Sequence, residues 1–321
     1  MTAENSPQDA ADPDALFTRE RTTSEVNQLV AHRISIFRRI FIPYPRHTEF
    51  HARCDYLLEL GQLTKGEPQR GMRVLAPSGS GKTTAAKAFI ELVEQRLPPK
   101  PNFIPVLHVS LDRAATPKKL YTSILLKFGD GFGHRGTELE LRERLLTYFD
   151  RFGCRLLFID EVQHLNRTNS GDVTDSLKAL LDEGAVPIVF LGTEDAEAMF
   201  SRNLQLNGRL VPPCDFTRLR STVQEDARLL RGYWERLDWE IVRLGLRDHS
   251  SGLFDPDFLG ALHKVSDGVI GRVSRLMEAA LEISIRRAAA KIELQDVALA
   301  TDRWALPQKF AAANPFWDLV P

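Results

Sequence analysis

The sequence has few cysteines and no long apolar run. Its three cysteines, Cys54, Cys154 and Cys214, form no CxxC pair, which argues against a structural zinc site and a disulfide framework. No stretch of about 18 apolar residues is present, so no membrane-spanning helix is expected. The first residues carry an acid rather than a basic region followed by an apolar one, unlike a signal peptide. These absences predict a cytoplasmic protein with reduced cysteines and no membrane partner.

The sequence also lacks an excess of either charge. Its 42 Lys and Arg residues are balanced by 43 Asp and Glu residues, for a formal net charge of -1. A protein that grips DNA with its whole surface is usually basic. Any DNA contact of this chain is therefore expected to be local.

Between residues 63 and 219, short apolar segments alternate with longer segments of helical period. This alternation is typical of a parallel sheet covered by helices on both faces. It predicts an α/β domain with a five-stranded parallel sheet. The predicted strands are Met72–Leu75, Ile104–Val109, Leu156–Ile159, Ile188–Leu191 and a weaker one at Cys214–Phe216.

The flanking segments have a different composition. Residues 1–20 are polar and acidic and predict a disordered tail, and residues 21–62 predict a helical lead-in. Residues 220–305 carry only helix start and stop signals, such as Asp255-Pro256, and predict a small all-helical lid domain. Residues 306–321 form an apolar tail that either binds a partner or docks on its own domain.

A glycine-rich loop joins the first predicted strand to a helix. The sequence Ala76-Pro-Ser-Gly-Ser-Gly-Lys-Thr83 matches the P-loop pattern, with Ala in place of the first Gly. Its glycines let backbone N–H groups face a phosphate, and the helix N-terminus favours an anion. Lys82 is expected to contact the β- and γ-phosphates of ATP, and Thr83 to bind Mg²⁺. The residues expected to hold the nucleotide are Pro77, Ser78, Gly79, Ser80, Gly81, Lys82, Thr83 and Thr84.

Two acids, Asp160 and Glu161, follow an apolar strand. The carboxyl ends of strands are where open α/β sheets bind ligands. Asp160 is suited to hold Mg²⁺, and Glu161 to polarise an attacking water. No Asn-Lys-x-Asp motif for guanine occurs. The pair therefore favours ATP hydrolysis.

Three further polar positions match places that AAA+ ATPases use. Thr193 ends the fourth strand and resembles a sensor of the γ-phosphate, although a Thr there also caps helices. Arg209, with Arg202 as the alternative, matches the arginine finger that reaches a neighbouring subunit. Arg272, with Arg275 as the alternative, resembles the lid arginine that touches the nucleotide.

With these motifs, the chain resembles the TniB/TnsC family of AAA+ transposition ATPases. The segments that carry the resemblance are Tyr44–Arg46, Arg73–Thr83, Tyr121–Leu125, Phe158–His164, Ile188–Thr193 and Gly268–Leu276. The resemblance implies a ring or helical filament of subunits on double-stranded DNA that recruits a transposase and a TniQ-like protein. ATP hydrolysis then disassembles the polymer.

The resemblance also implies site residues. Tyr44 and Pro45 are expected near the adenine. The segment after the second strand is expected to contact DNA phosphates through Arg113, Thr116, Lys118 and Lys119, although it also reads as a solvated helix start. Two alternative functions stay open: a helicase loader or replication initiator, and a signalling NTPase that binds no DNA.

Overall fold

The computed structural model describes residues 13–111, 116–165 and 171–320. Of the predicted N-terminal tail, residues 1–12 lie outside these ranges. The chain divides into two compact units. One unit comprises Phe41–Leu229 with Gly268–Arg272, and the other combines the described residues up to Ile40 with Leu230–Asp267 and Val273–Pro321.

The first unit is built on a parallel sheet whose four strands lie in the order β1-β4-β3-β2. The strands are β1 (Gly71–Leu75), β2 (Val106–Ser110), β3 (Leu156–Asp160) and β4 (Ile188–Gly192). The helices of this unit are α2 (Pro45–Leu63), α3 (Lys82–Arg96), α4 (Pro117–Lys127), α5 (Glu138–Arg151), α6 (Gly171–Asp182), α7 (Glu197–Arg202) and α8 (Leu204–Asn207). The predicted α/β class with a parallel sheet is confirmed.

Both faces of the sheet are covered, as its continuous apolar strands require. Neighbouring residues of β3 point to opposite faces. Leu156 and Phe158 pack with residues of α2 and α3, whereas Leu157 and Ile159 pack with residues of α4, α5 and α6. The acid that follows them, Asp160, therefore emerges between two buried layers at the carboxyl edge of the sheet.

The predicted fifth strand at Cys214–Phe216 was wrong: within the described residues the sheet has four strands. The segment still follows β1, because the N–H groups of Val211, Cys214 and Phe216 donate to carbonyls of β1 at 2.8–3.1 Å. The acceptors are two residues apart, at Gly71, Arg73 and Leu75, but the first two donors are three apart. Pro212 and Pro213 fall in that wider step. Proline has no N–H to donate, so a regular ladder cannot form there.

A side chain completes this irregular edge. The Leu75 N–H donates to Asp215 Oδ1 at 2.7 Å, in place of a carbonyl of the neighbouring segment. The same carboxylate lies 4.0 Å from the guanidinium of Arg73. Asp215 therefore satisfies the last N–H of β1, directly before the glycine-rich loop.

Within its described residues, the second unit has helices as its only regular secondary structure. It contains α1 (Pro13–Phe37), most of α9 (Gln224–Arg243), α10 (Pro256–Ser266), most of α11 (Ile270–Arg286) and α12 (Leu294–Ala300), followed by a π-helical turn at Thr301–Ala305. Asp255 caps α10 through the Phe258 N–H, with Pro256 in the first turn.

The C-terminal tail docks on this same helical unit. The Phe316 ring is fully buried and packs on Phe258, with ring centroids 5.4 Å apart. The Trp317 indole N–H donates to Asp302 Oδ2 at 2.8 Å. Of the two readings of the tail, the structure favours docking on its own unit.

His47, in the first turn of α2, is a buried histidine in the first unit. Its ring lies against Phe41, Tyr44 and Phe216, with centroids 4.3–5.3 Å away. Burial, and secondarily the nearby His51, lower the pKa of His47 to about 4. The imidazole is therefore neutral in the folded protein at pH 7.

We expect Asp215→Ala to lower the free energy of unfolding by about 1–3 kcal/mol, because the Leu75 N–H loses its acceptor. Asp215→Asn keeps an acceptor oxygen and should retain most of the stability. Urea unfolding of both variants measures the difference. Equal losses in the two variants would assign the effect to the charge instead of the hydrogen bond.

We expect acid to destabilise the protein partly through His47. An unfolded histidine titrates near pH 6.5 and the folded one near 4, so the unfolded state binds more protons between these values. The contribution of His47 to the free energy of unfolding is fully present above pH 6.5. It falls by about 2 kcal/mol between pH 7 and pH 5. Urea unfolding of His47→Phe at both pH values should show a pH dependence smaller by this amount. His134→Gln, which changes an exposed histidine, is the matched control and should keep the wild-type dependence.

Candidate nucleotide-binding site

The glycine-rich loop runs from the end of β1 to the start of α3. Gly79 and Gly81 have φ values of 79° and 91°, in the left-handed region that side chains disfavour. The Ser80 N–H closes the turn by donating to the Pro77 carbonyl at 3.2 Å. The first N–H groups of α3, directly after this turn, have no partner within the helix. The loop is therefore a concave set of backbone donors suited to an anion.

Lys82 is the buried cation of this loop. Its Nζ donates to the carbonyls of Ala76 and Pro77 at 3.0 and 3.3 Å. Burial lowers the pKa of Lys82, and the carboxylates of Asp160, Glu161 and Glu194 partly offset this effect. The ammonium is thus held within the loop and close to the acids.

Thr83 and Asp160 meet at the carboxyl edge of the sheet. The Thr83 hydroxyl donates to Asp160 Oδ2 at 2.7 Å. His108, on β2, approaches the same oxygen with Nε2 at 3.1 Å. Burial tends to raise the pKa of Asp160, but the hydrogen bonds from His108 and Thr83 bring it below its ordinary value. An ionised carboxylate only accepts, so His108 Nε2 carries the proton here.

Glu161 sits in a strained backbone conformation next to Asp160. Its φ is 62°, which is rare for a residue with a side chain. Its N–H donates to Asp160 Oδ1 at 2.9 Å, so the two acids are locked together through the backbone. Its carboxylate accepts a hydrogen bond from the amide of Gln163.

Thr193 follows β4, on the other side of this cluster. It precedes a 3₁₀ turn at Glu194–Ala196, but its hydroxyl donates to Asp195 Oδ2 at 3.1 Å instead of capping a backbone N–H. The Thr193 N–H donates to Gln163 Oε1 at 3.1 Å. Gln163 therefore connects the residue after β4 with the second acid after β3.

The start of α11 lies directly on the loop. Gly268–Arg272 belong to the same unit as the loop, and a Cβ on Gly271 would lie only 1.8 Å from the Gly79 carbonyl oxygen. The Arg272 side chain lies over Gly79, with Cγ 3.6 Å from a Cβ built there. Arg275 instead forms an ion pair with Glu278 at 3.1 Å. Of the two arginines, the structure brings Arg272 to the loop.

Tyr44 and Pro45 lie at the start of α2. Tyr44 is buried at the N-cap and Pro45 is exposed in the first turn. The adjacent His47 ring lies 3.5 Å from a Cβ built on Gly81. The α2 start and the loop are therefore neighbours, with an aromatic cluster between them.

The two finger candidates have different surroundings. Arg209 donates from Nε to Asp182 Oδ1 at 2.5 Å and is 38% exposed. This pair raises the pKa of Arg209 further. Arg202 ends α7 and is exposed, and it has no ion pair within the described ranges.

The predicted DNA segment is described only in part. Arg113 lies outside the described residues. Thr116 caps α4 by accepting the Lys119 N–H at 3.3 Å. Lys118 and Lys119 are exposed in the first turn of that helix.

Three contributors to the site were not found from the sequence: His108, Gln163 and Gly271. His108 interrupts an apolar strand, which was a usable signal, because a polar residue inside a buried strand needs a partner. Gln163 lies inside a quoted motif, but only the acids of that motif were given roles. Gly271 stands before the predicted Arg272. Glycine is required there because of a loop that is far away in the sequence, so the local pattern does not reveal it.

Within the described ranges, no helix is both long and apolar enough to cross a membrane. No cluster of three or more His, Cys, Asp or Glu side chains that could hold a metal occurs among these residues. Thr83 and Asp160 still offer the hard oxygen donors that Mg²⁺ prefers, and in phosphate sites Mg²⁺ takes few protein ligands. The donor set therefore fits a magnesium–nucleotide.

Known structures share this fold at low sequence identity. The Aeropyrum pernix ORC2 protein, solved as ADPNP-ADP complexes, is 17% identical with a TM-score of 0.61, over 83% of this chain and 71% of that one. The Aeropyrum pernix ORC1 protein in complex with DNA is 20% identical with a TM-score of 0.57, over 82% and 66%. Drosophila ORC bound to DNA is 16% identical with a TM-score of 0.54, over 94% and 68%. The chain shares the fold of these proteins.

No curated protein matches the sequence. The sequence model of the family described as bacterial TniB protein matches residues 33–214. This range holds the glycine-rich loop, both acids, Thr193 and both finger candidates. The chain belongs to the TniB family.

Proposed function

We propose that this protein is an ATPase that assembles on double-stranded DNA and regulates DNA transposition. The observation that carries the proposal is the 2.7 Å hydrogen bond between Thr83 and Asp160. It joins the end of the glycine-rich loop to the acid that ends β3, which is the arrangement that a magnesium–triphosphate requires. TniB family membership supports transposition as the process that uses the ATPase.

The roles of the residues follow from their positions. Lys82 and the loop N–H groups bind the phosphates, and Thr83 and Asp160 would hold Mg²⁺. The bound metal would neutralise charge that develops on the phosphates. Glu161, half-exposed next to Asp160, orients a water and accepts its proton. Thr193 senses the terminal phosphate from the end of β4.

The remaining nucleotide contacts come from the same unit. Arg272 supplies a fixed cation above the loop. Tyr44 and Pro45 contact the adenine, and the neutral His47 ring packs edge-to-face against Tyr44. A neutral ring suits this place, because a third cation there would compete with Lys82 and Arg272.

Assembly would add an arginine from a neighbouring subunit. Arg209 remains our first candidate for this finger, and it must then leave its pair with Asp182. That exchange would tie finger release to subunit contact. Arg202 needs no such release and is the alternative. The assembly would recruit a transposase and a TniQ-like protein, and ATP hydrolysis would disassemble it.

DNA contact is proposed at the start of α4. Lys118 and Lys119 are adjacent and exposed there, and Thr116 caps the same helix. Arg113, which lies outside the described residues, is proposed as a further contact. Repeating one small basic patch along a polymer explains how a chain of net charge -1 binds DNA.

A replication initiator is the second candidate. The likeness to ORC structures is the reason to consider it, although a likeness at 17–20% identity supports only the fold. ATP turnover with and without duplex DNA separates both DNA-dependent functions from a signalling NTPase. Co-purification with an integrase-type transposase separates transposition from initiation.

We expect Glu161→Gln to bind ATP normally but to hydrolyse it at least about 100-fold more slowly, because the proton acceptor is lost. Phosphate release and binding of a fluorescent ATP analogue measure the two steps. Electron micrographs should show assemblies that persist on DNA. Lys82→Ala is the comparison variant and should lose nucleotide binding itself. Wild-type turnover by Glu161→Gln would remove Glu161 from the mechanism.

We expect Lys118→Ala/Lys119→Ala to weaken DNA binding and to reduce the slope of log affinity against log salt by about 2 per bound subunit. ATP affinity should not change. Binding titrations at several salt concentrations provide the slope. Lys127→Ala removes an exposed lysine from the other end of α4 and should leave the slope unaltered. A similar loss in both variants would mean that α4 acts only through general charge.

A further inference from the structure

We propose that Gln163 is a positioning residue that ties the Glu161 carboxylate to the end of β4 and thereby sets it for hydrolysis. This inference rests on the proposed ATPase function. It adds a residue to which no role had been assigned. It also gives β4, which Thr193 follows, a physical link to the proton acceptor.

The orientation of the Gln163 amide follows from its two partners. A backbone N–H only donates, so the atom that faces Thr193 at 3.1 Å must be the oxygen. A carboxylate only accepts, so the atom that faces Glu161 Oε2 must be the NH₂ group. Both ends of one short side chain are thus used, and the reverse orientation would satisfy neither.

The local backbone is shaped for this bridge. Glu161 adopts a left-handed φ of 62°, and the 3₁₀ turn Val162–Leu165 begins directly after it. That turn brings Gln163 back over the end of β4. Gly192 leaves the space: a Cβ there would lie 3.2 Å from Gln163 Oε1 and 2.7 Å from a Val162 methyl group.

The bridge acts on one oxygen of the carboxylate. Gln163 donates to Oε2, and the nearest His164 nitrogen lies 3.9 Å from the same atom. In the described part of the chain, these contacts to the carboxylate all fall on Oε2, and the Glu161 side chain is 45% exposed. Holding Oε2 fixes the carboxylate while Oε1 stays available to a water. A proton acceptor that is already held in its reactive position lowers the entropic cost of reaching the transition state.

A purely structural role for Gln163 makes a different prediction. In that case the important bond is the one from the Thr193 N–H, which braces the end of β4. Any residue with an acceptor oxygen at the same place would serve equally. Gln163→Glu has that oxygen but replaces the donor NH₂ by a second acceptor that faces Glu161. This nearly isosteric variant therefore separates the two roles.

The experiment measures steady-state ATP hydrolysis with duplex DNA present for wild type, Gln163→Leu, Gln163→Glu, Glu161→Gln and the double variant Glu161→Gln/Gln163→Leu. We expect both Gln163 variants to lose roughly tenfold or more in kcat, as misplaced catalytic groups do, with KM within about twofold. In the Glu161→Gln background, Gln163→Leu should change kcat less than about twofold, because its target is gone.

Two results would overturn the inference. One is a wild-type kcat in Gln163→Glu, which would leave Gln163 only its structural role as the acceptor for the Thr193 N–H. The other is the same loss from Gln163→Leu whether or not Glu161 is intact. Binding of a fluorescent ATP analogue and thermal melting check that each variant is folded. If Gln163→Leu does not fold, the kcat of Gln163→Glu alone decides between the two roles. Wild-type protein that binds ATP but does not hydrolyse it would contradict the proposed function itself.

Discussion

The parallel direction of the four strands is the constraint on which the site depends. Because all strands end at one edge, residues from distant parts of the sequence meet there without any special loop. The Thr83–Asp160 hydrogen bond of 2.7 Å is the direct expression of this constraint. The buried layers on both faces of β3 keep that edge from shifting.

The two acids at this edge of the sheet differ in burial and in their hydrogen bonds. Asp160 is nearly fully buried and kept ionised by two donors, whereas Glu161 next to it is half-exposed. The first environment suits a permanent ligand for a cation, and the second suits a group that exchanges protons with water. Two adjacent acids thus acquire different chemistry from a difference in burial, while Lys82 balances both.

The local motifs could be predicted from sequence, and the long-range partners could not. The loop and both acids depend on short patterns with a known backbone consequence, and the structure brings Lys82, Thr83 and Asp160 together. The fifth strand failed because Pro212 and Pro213 remove donors from a segment whose apolar pattern is otherwise that of a strand. The Arg209–Asp182 pair and the contact between Gln163 and the Thr193 N–H join residues that are far apart in the sequence, so no short sequence pattern predicts them.

The contact between Gly271 and Gly79 has a consequence for how this chain can vary. Only backbone atoms fit between the first turn of α11 and the glycine-rich loop. The identity of one helical residue is therefore dictated by a turn in another part of the sequence. A residue with a side chain at position 271 would therefore be accommodated only if the backbone of the turn shifted with it.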